Sequence, residues 1–392
     1  MPLLFLLVWA LGPAAEHVGI LPGASPGTSE ESPSVGAGDE SEEIRILLDS
    51  GGGVLKLSST GASLTVQGLG GMPMALARAE VRCQRGALVL AHSPTGGPLV
   101  APLMLLPGDV QGAGQLRVLG RTLRGRVEVT CDSDRWTAIN ILPLETYLSA
   151  VLGGEMPSGF PAEALKAQAV AARSYALMRK IDARDQGRAW HVGATVLSQV
   201  YAGLAREDPR TASAVAATRG EVLALGVTPV EAYFHAACGG RTESGAAALG
   251  RTLDYLQPVS CPCAGHSPYS HWRVELSAGE LGKALGFGAA RSAAVLSRTA
   301  TGRASRVRID SVKGGTRTLA ASQLRAAVGY QKLPSTWFEV REERGRFVFE
   351  GRGAGHGAGL CQWGARVLAE QGESYRDILA HYYPGTSIEK IY

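Results

Sequence analysis

Short apolar runs separated by turn residues fill the chain between residues 44 and 140. They read IRILL, VLKLSS, SLTVQGL, GALVLA, LRVLG and VEVTC, and mostly glycine, serine and charged residues lie between them. Short runs of aliphatic and β-branched side chains bounded by turn formers are typical of β-strands. The pattern predicts a β-rich region, and this region holds no catalytic constellation of its own.

The periodicity becomes helical after residue 140. The segment NILPLETYLSAVLGGEMP predicts a helix that begins at about Pro143 and ends at Gly153-Gly154. Pro161 opens a second predicted helix, PAEALKAQAVAARSYALMRK, since proline favours the first helical turn. One face of this helix carries small or aliphatic side chains, so it is expected to pack closely against another element: Leu165, Ala169, Ala172 and Ala176.

Strand and helix patterns continue to the C-terminus. Strands are predicted at VLSQVYAG, GEVLALG, VEAYFHAACGG, RVRIDSV and TWFEV, and helices at SAGELGKALGF, SQLRAAVG, CQWGARVLAEQG and SYRDILAHYY. Ser374 and Asp377 form a loose capping box for the last helix. Together these elements predict an α+β fold, in which a β-rich lobe and helices enclose a substrate cleft with Glu155 at its floor.

The composition indicates many turns, and the charge is distributed unevenly along the chain. Glycine supplies 51 of 392 residues, about double its usual share of roughly 7%. The net charge is +4, but residues 1–43 hold seven of the 35 acids and no Lys or Arg, so residues 44–392 carry +11. A basic body suits an anionic polymer such as nucleic acid, a lipid surface or the bacterial wall. An arginine-rich codon usage is an equally good explanation.

The first 15 residues, MPLLFLLVWALGPAA, predict a secretory signal peptide, although no Lys or Arg precedes their apolar core. Residues 16–43 are rich in Pro, Gly, Ser and acids and predict a disordered acidic linker. We therefore expect an extracytoplasmic protein, which is secreted, periplasmic or cell-wall associated, and membrane-anchored if the N-terminus is retained. No later apolar run is long enough to predict a membrane-spanning helix.

Export would place the six cysteines in an oxidising compartment. A Cys/His cluster occupies the middle of the chain: Cys238, Cys261, Cys263 and His266, with His235 and His271 nearby. Its H-x-x-C and C-x-C-x-x-H spacings suit zinc, and a disulfide from Cys238 to Cys261 or Cys263 suits an exported protein at least as well. Both alternatives stay open, and we assign no metal and no cofactor.

Missing motifs argue against several enzyme classes. The chain contains no G-x-x-x-x-G-K-[ST] and no H-E-x-x-H, and GRGAGHGAG does not fit G-x-G-x-x-G in any frame. Nucleotide binding and H-E-x-x-H metalloprotease chemistry are therefore not expected.

Glu155, in GGEMP, is the first candidate catalytic residue. A carboxyl in a tight turn beside apolar groups favours the protonated form that a general acid needs. Lys166 and Arg173 lie seven residues apart on the following helix and point the same way, so both could hold an anionic or hydroxyl-rich substrate beside Glu155. The alternative is an ordinary surface acid.

His356 is the second candidate. Glycines at four nearby positions would leave its ring exposed and let a ligand approach the backbone: Gly353, Gly355, Gly357 and Gly359. Gln362 and Trp363 follow, and a tryptophan beside polar groups is a common surface for stacking a sugar ring. The alternative is a glycine-rich barrel corner with His356 at its rim.

Several long segments, in the same order and spacing, resemble the stage II sporulation protein D and amidase enhancer family. They are NILPLETYLSAVLGGEMPSGFPAEALKAQAVAARSYAL, SQVYAG, FHAACGGRTES, SPYSHWRVEL, LPSTWFEV and GRGAGHGAGLCQWGARVLAEQGESYRDILAHYYPGT. The resemblance implies a sporulation protein D-like catalytic domain at 125–392, preceded by a β-rich N-terminal region at 44–124.

The resemblance also implies an activity. Sporulation members are lytic transglycosylases, which cut peptide-stripped peptidoglycan at the N-acetylmuramic acid glycosidic bond and leave 1,6-anhydro ends. It makes Glu155 the acid/base and implies these substrate-binding residues: Lys166, Arg173, Gln199, Tyr201, His235, His356 and Gln362. Two departures from the family stand out. Ala354 replaces a usual tryptophan, and Leu197-Ser198 occupy the place where some members have zinc ligands.

A second function is open within the same family. Amidase enhancers bind the cell wall and stimulate an N-acetylmuramoyl-L-alanine amidase without cutting glycan, and they share most of these motifs. Dedicated enhancers often carry extra wall-binding repeats, which this sequence lacks. That favours the enzyme, with peptidoglycan glycan strands as its partner, a cell-wall amidase as a further candidate partner and no nucleic acid. An inactive exported structural protein is the third alternative.

Overall fold

The computed structural model describes residues 42–61, 63–68, 72–91, 101–107, 115–194 and 201–392. The predicted signal peptide, nearly all of the predicted linker and Gln199 lie outside the described residues. Within them, mixed sheets and eight α-helices confirm the predicted α+β class. No helix in the described ranges combines the length and apolar character needed to cross a bilayer.

Within the described residues up to 194, twelve strands form two sheets. They are β1 (Glu43–Gly51), β2 (Val54–Ser59), β3 (Leu64–Gln67), β4 (Met74–Leu76), β5 (Arg78–Gln84), β6 (Ala87–Ala91), β7 (Leu103–Pro107), β8 (Leu116–Val118), β9 (Arg121–Leu123), β10 (Arg126–Asp132), β11 (Arg135–Pro143) and β12 (Val192–Gly193). The larger sheet has the order β12-β1-β11-β10-β7-β3-β4, and the smaller has the order β6-β5-β2-β8-β9. All six strands predicted between residues 44 and 140 are confirmed.

Alternating burial explains why these runs form strands. In β1 the side chains of Ile44, Ile46 and Leu48 are buried, while the residues between them are partly exposed. Such a period of two places one face of each strand in the core. The buried faces of both sheets belong to one hydrophobic cluster. The Cys83–Cys131 disulfide also joins β5 of one sheet to β10 of the other.

Four of the helices pack around a central one, α2 (Ala162–Asp185). The helices of the described chain are α1 (Leu144–Glu155), α2, α3 (Pro209–Ala217), α4 (Gly245–Leu249), α5 (Ala278–Ala284), α6 (Ala321–Val328), α7 (Gln362–Glu370) and α8 (Tyr375–Tyr382), with a 3-10 turn at Gly203–Arg206. The predicted small-residue face of α2 is buried at every position. Because small side chains allow close approach, α2 packs against α1, α3, α7 and α8.

The end of α1 differs from the prediction. The helix continues through both glycines to Glu155, and the Met156 N–H donates to the Leu152 carbonyl at 3.0 Å. Gly153 is needed for packing, since a β-carbon there would overlap the carbonyl oxygen of Arg206. Glu155 therefore belongs to the last turn of a helix and not to a tight turn between helices.

Eleven further strands form small sheets in the C-terminal half. They are β13 (Glu221–Leu225), β14 (Thr228–Pro229), β15 (Phe234–His235), β16 (Trp272–Ser277), β17 (Ala290–Arg298), β18 (Ala304–Ser311), β19 (Thr316–Ala320), β20 (Phe338–Glu343), β21 (Arg346–Gly351), β22 (Leu360–Cys361) and β23 (Ser387–Lys390). The sheet orders are β14-β13-β23, β16-β21-β20 and β17-β18-β19, and β15 pairs with β22 in parallel.

The described residues build two large hydrophobic cores. One extends from Ile44 to Tyr383 and includes both large sheets and α1 and α2. The other lies within residues 272–349. The predicted division at 124/125 falls inside the first core, because β1 pairs with β11 along its length. The region with its own core is thus inserted within the predicted 125–392 domain.

Candidate functional site

Glu155 ends α1 in a buried position. Its exposed fraction is 2%, and Met156 and Phe160, in the loop between α1 and α2, are also buried. The C-terminal end of a helix carries a partial negative charge, and an apolar surrounding opposes ionisation of a carboxyl. A buried carboxyl at the end of a helix is therefore a candidate general acid.

Tyr147, which the sequence analysis did not single out, interacts electrostatically with Glu155. Burial, and then the charge of Glu155, raises the pKa of Tyr147 well above its usual value, so its hydroxyl remains protonated. The Tyr147 ring lies 5.5 Å from the ring of Tyr201. The Tyr201 hydroxyl donates to Oδ1 of Asn140 at 2.7 Å. Tyr201 is thus close to the Glu155 region, and it is held there from within the core.

Gln362 is the first residue of α7 and is buried against α2. Its Nε2 donates to Oε1 of Gln168 at 3.3 Å. The Nε2 of Gln168 is buried and, among the described residues, has no hydrogen-bond partner. Gln168 was missed at the sequence level, although a polar residue within an alanine-rich face is a usable signal. Gln362 and Gln168 thus form a polar contact between α7 and α2.

An aromatic surface adjoins the loop after Glu155. The ring of Phe160 contacts that of Trp363 edge to face, with centroids 5.1 Å apart. The guanidinium of Arg366 lies 5.0 Å from the Trp363 ring centroid and 5.3 Å from that of Phe160. Trp363 and Arg366 are partly exposed. Arg366 also pairs with Glu370 on the same helix at 2.7 Å. An aromatic ring beside a cation suits an anionic sugar that can compete for this pair.

Lys166 is partly exposed on α2. Its Nζ lies 2.7 Å from Oε1 of Glu163 and 5.7 Å from the ring centroid of Tyr375. Glu163 also accepts the backbone N–H of Tyr375. Lys166 therefore helps to dock α8 onto α2 and remains accessible to a ligand from the solvent side.

Arg173 has a different setting. Its side chain is fully buried and forms a double hydrogen bond with the carboxylate of Glu145, at 2.7 and 2.8 Å. It also donates to the carbonyls of Val215 and Glu221. Burial opposes ionisation of Glu145, but the hydrogen bonds and charge of Arg173 outweigh it and lower the pKa of Glu145. A direct substrate contact stays a prediction, and it would require this ion pair to open.

The structure buries His356, whose ring was expected to be exposed. Its exposed fraction is 4%. Its Nε2 lies 2.9 Å from the carbonyl of Phe234, and its Nδ1 accepts the N–H of Ala358 at 3.1 Å. The reason is the glycine loop itself: a β-carbon at Gly359 would overlap the Tyr233 carbonyl, so the loop folds back onto the 233–238 segment.

His235 packs beside His356, with ring centroids 5.4 Å apart, and its Nδ1 lies 3.0 Å from the carbonyl of Ala358. Burial, and then the positive charge of Arg303, lowers the pKa of His235 to about 3. Burial and the neighbouring His235 likewise lower the pKa of His356 well below its usual value. Both rings are therefore neutral at neutral pH and are held by packing and hydrogen bonds, and a substrate contact by either ring stays a prediction.

The cysteine cluster differs from the predicted set in one member. Cys238, Cys261 and Cys263 come together with Cys361, and their sulfurs lie within 4.8 Å of one another. His266 is exposed on the surface. The four free cysteines are all buried. They are the residues in the described chain that could hold a metal.

Two cavities lie away from Glu155. One of about 110 Å³ is lined by Glu243, Arg303 and His356 among others, which is far below the roughly 300 Å³ of a typical ligand pocket. A more open one of about 520 Å³ lies between α5, β19 and α6. Neither is lined by Glu155, so neither shows the predicted cleft.

Comparison with known proteins places this geometry in context. Residues 132–225 match the family model for a stage II sporulation protein. Residues 271–359 match a domain of unknown function, DUF8618, which coincides with the second core.

Three relatives illustrate the likeness. The stage II sporulation protein D of Bacillus subtilis is 32% identical over 266 residues, 64% of this chain and 76% of the relative. A protein of Brachyspira hyodysenteriae is 31% identical over 261 residues, 65% of this chain and 69% of the relative. The amidase enhancer of Bacillus subtilis is 28% identical over 290 residues, 62% of this chain and 40% of the relative.

Proposed function

This chain belongs to the stage II sporulation protein D family, and we propose that it is a peptidoglycan lytic transglycosylase with Glu155 as its acid/base. Its substrate is glycan stripped of peptides, cut at the N-acetylmuramic acid glycosidic bond to give 1,6-anhydro ends. The observation that carries the proposal is the buried carboxyl at the end of α1, beside a partly exposed aromatic and cationic surface.

One carboxyl suffices for this reaction. Protonated Glu155 gives its proton to the glycosidic oxygen as the bond to the anomeric carbon breaks. The resulting carboxylate then takes the proton of the muramyl 6-hydroxyl, whose oxygen bonds to the same carbon and closes the 1,6-anhydro ring. Unlike the hydrolases that use two carboxylates, this route needs no activated water. The buried position of Glu155 supports its assignment as the general acid of the first step.

The neighbouring residues support sugar binding. Trp363 offers a partly exposed ring, while Arg366 and Lys166 are partly exposed cations, each paired with an acid on its own helix, Glu370 and Glu163. A muramyl residue without its peptide carries a free lactyl carboxylate, which such cations attract. Since Glu155 is 2% exposed, substrate must displace a covering side chain before the glycosidic oxygen comes within hydrogen-bond reach. The protein would act outside the cytoplasm, in cell-wall remodelling or sporulation.

The test digests purified peptide-stripped glycan strands with the wild-type chain and with Glu155→Gln, read by mass spectrometry. We expect wild type to release fragments with 1,6-anhydro ends. The variant should lose roughly 100-fold or more in rate, since general acid–base catalysis contributes that much. Glu342→Gln, which alters an exposed acid on β20, is the matched control and should digest as wild type does.

The other outcomes separate the alternatives. Reducing ends would keep a glycosidase but reject attack by the 6-hydroxyl. Binding without cleavage would favour the amidase enhancer function, which the name of one relative motivates. In that case the chain should stimulate a purified N-acetylmuramoyl-L-alanine amidase, and Glu155→Gln should stimulate it equally.

A further inference from the structure

Four cysteines from three separate segments meet in the interior. Cys238 follows β15, Cys261 and Cys263 lie in the loop before β16, and Cys361 ends β22. Their exposed fractions range from 0% to 7%, and every pair of sulfurs lies within 4.8 Å. Cys238 and Cys361 are 123 residues apart in the sequence. Local structure cannot bring such distant residues together, so the cluster depends on the tertiary fold.

The spacing matches a single tetrahedral ion. Zinc holds thiolate sulfur at about 2.3 Å, which places the four sulfurs of a tetrahedron about 3.8 Å apart. The Sγ atoms of Cys238 and Cys263 lie 3.4 Å apart here. The cysteines that hold a four-iron cluster lie farther apart, around a larger core. The cluster therefore has the size of a one-metal site.

The surroundings suit a closed thiolate site. The backbone N–H of Cys238 donates to Sγ of Cys361 at 3.3 Å, and the hydroxyl of Tyr382 lies 3.1 Å from Sγ of Cys261. Such contacts stabilise charge on a coordinating sulfur. A β-carbon at Gly364 would overlap both Cys261 Sγ and the Tyr382 hydroxyl. Four thiolates would fill the tetrahedral coordination of zinc and leave no position for a substrate, as in structural zinc sites.

A buried cation provides a second, independent observation. Arg303 is 1% exposed and donates from Nη2 to the carbonyl of Cys238 at 2.6 Å. Its Nε and Nη1 are buried and have no hydrogen-bond partner among the described residues. An isolated buried guanidinium is costly unless an anion lies near it. Glu243 is one such neighbour, and a zinc ion with four thiolates, which carries a net charge of −2, would be a second, since Arg303 also interacts electrostatically with Cys238, Cys361 and Cys263.

We propose that Cys238, Cys261, Cys263 and Cys361 bind one zinc ion in a structural site, with Arg303 as its buried counter-charge. Binding releases the thiol protons to solvent. The ion would join the β15 loop, the loop before β16 and the β22–α7 junction, where Gln362 begins α7. It would thus fix the C-terminal segment against α2 without taking part in glycan chemistry.

The experiment uses the full chain purified without chelator and measures zinc by plasma mass spectrometry. We expect about one zinc per chain, and four thiols that react after denaturation without reductant. Cobalt substitution should give the visible bands and thiolate charge-transfer absorption of a tetrahedral four-sulfur site. Cys263→Ser and Cys361→Ser should lower zinc content at least tenfold. If these variants fail to fold, the cobalt spectrum and the thiol count of the wild-type chain still test whether four cysteines bind the metal.

The matched control is the Cys83→Ser, Cys131→Ser double variant, which removes the disulfide and should retain zinc. Arg303→Met should weaken zinc retention in a chelator competition. A chain without zinc and without reactive thiols would mean two further disulfides and would overturn the proposal. Iron in place of zinc, or fewer than four sulfurs in the cobalt spectrum, would overturn it as well.

Discussion

Lys166 and Arg173 lie on the same side of α2 and meet opposite environments. Lys166 reaches a partly exposed acid on its own helix, whereas Arg173 is fully enclosed by Glu145, Val215 and Glu221. The periodicity of the helix predicts their shared direction correctly. It does not predict which of them meets solvent, because the partners of Arg173 come from α1, α3 and β13.

Arg173→Met should lower the free energy of unfolding by about 3–5 kcal/mol, because it leaves the carboxylate of Glu145 without its buried partner. Lys166→Met is the matched control on the same helix and should cost less than about 1 kcal/mol, since it breaks a partly exposed pair. Urea unfolding followed by circular dichroism measures both.

Glycan binding by Arg173→Met tests the substrate role that is predicted for Arg173. If folded Arg173→Met binds peptide-stripped glycan as wild type does, Arg173 is structural. A folded Arg173→Met that loses this binding and keeps that of uncharged chitooligomers would instead support a contact with the lactyl carboxylate.

At the scale of elements, the α1–α2 junction carries Glu155 and depends on how closely α1 approaches the 3-10 turn at Gly203–Arg206. The sequence pattern predicts both helices, and the structure extends α1 to Glu155 and α2 to Asp185. A glycine pair usually favours a helix end. Here Gly153 instead admits the Arg206 carbonyl beside the helix, which no local pattern reveals.

Gly153→Ala should destabilise the fold by about 1–3 kcal/mol and reduce glycan cleavage, because the new methyl group overlaps a backbone carbonyl. Gly159→Ala, in the loop that follows α1, meets nothing within 4 Å and should change stability little. Thermal unfolding and initial cleavage rates compare the two. Equal stability of both variants would contradict the close approach of α1 to Arg206.

At the scale of the whole molecule, the C-terminal segment closes the first core. It carries Cys361, Gln362 and α8, which meet α2 and the 233–238 segment far earlier in the chain. The region with the second core is inserted between these partners. His235 and His356 lie where this segment packs against the rest of the core. Burial lowers the pKa of both histidines, so they stay neutral in the folded chain.

Stability should therefore fall as the pH drops below about 6.5. An unfolded chain takes up a proton on His235 near that pH, whereas the folded chain does not until about pH 3. The unfolded state binds more protons in this window, so by pH 5 His235 alone should cost about 2 kcal/mol relative to pH 7.

Urea unfolding at pH 7 and pH 5 tests this. His235→Asn should reduce the difference between the two pH values by about that amount, while His266→Asn, which alters an exposed ring, should leave it unchanged. A wild-type free energy of unfolding that is equal at both pH values would contradict the burial of His235.

The sequence by itself determined much of this protein. Alternating apolar positions identify the strands before residue 140, and small residues on one face identify α2 as a packed helix. The ordered motifs identify the family. These features are local, or repeat along the chain at a short period, so they can be read without coordinates.

The tertiary structure decided which distant residues meet. It pairs β1 with β11 across a predicted boundary, adds Cys361 to the cysteine cluster in place of His266, and buries His356 and Arg173. Each of these outcomes depends on contacts between segments many residues apart. The spacing of side chains within one segment shows which of them share a face of a helix or strand. It does not show which distant segment packs against that face, because this depends on how the whole chain folds.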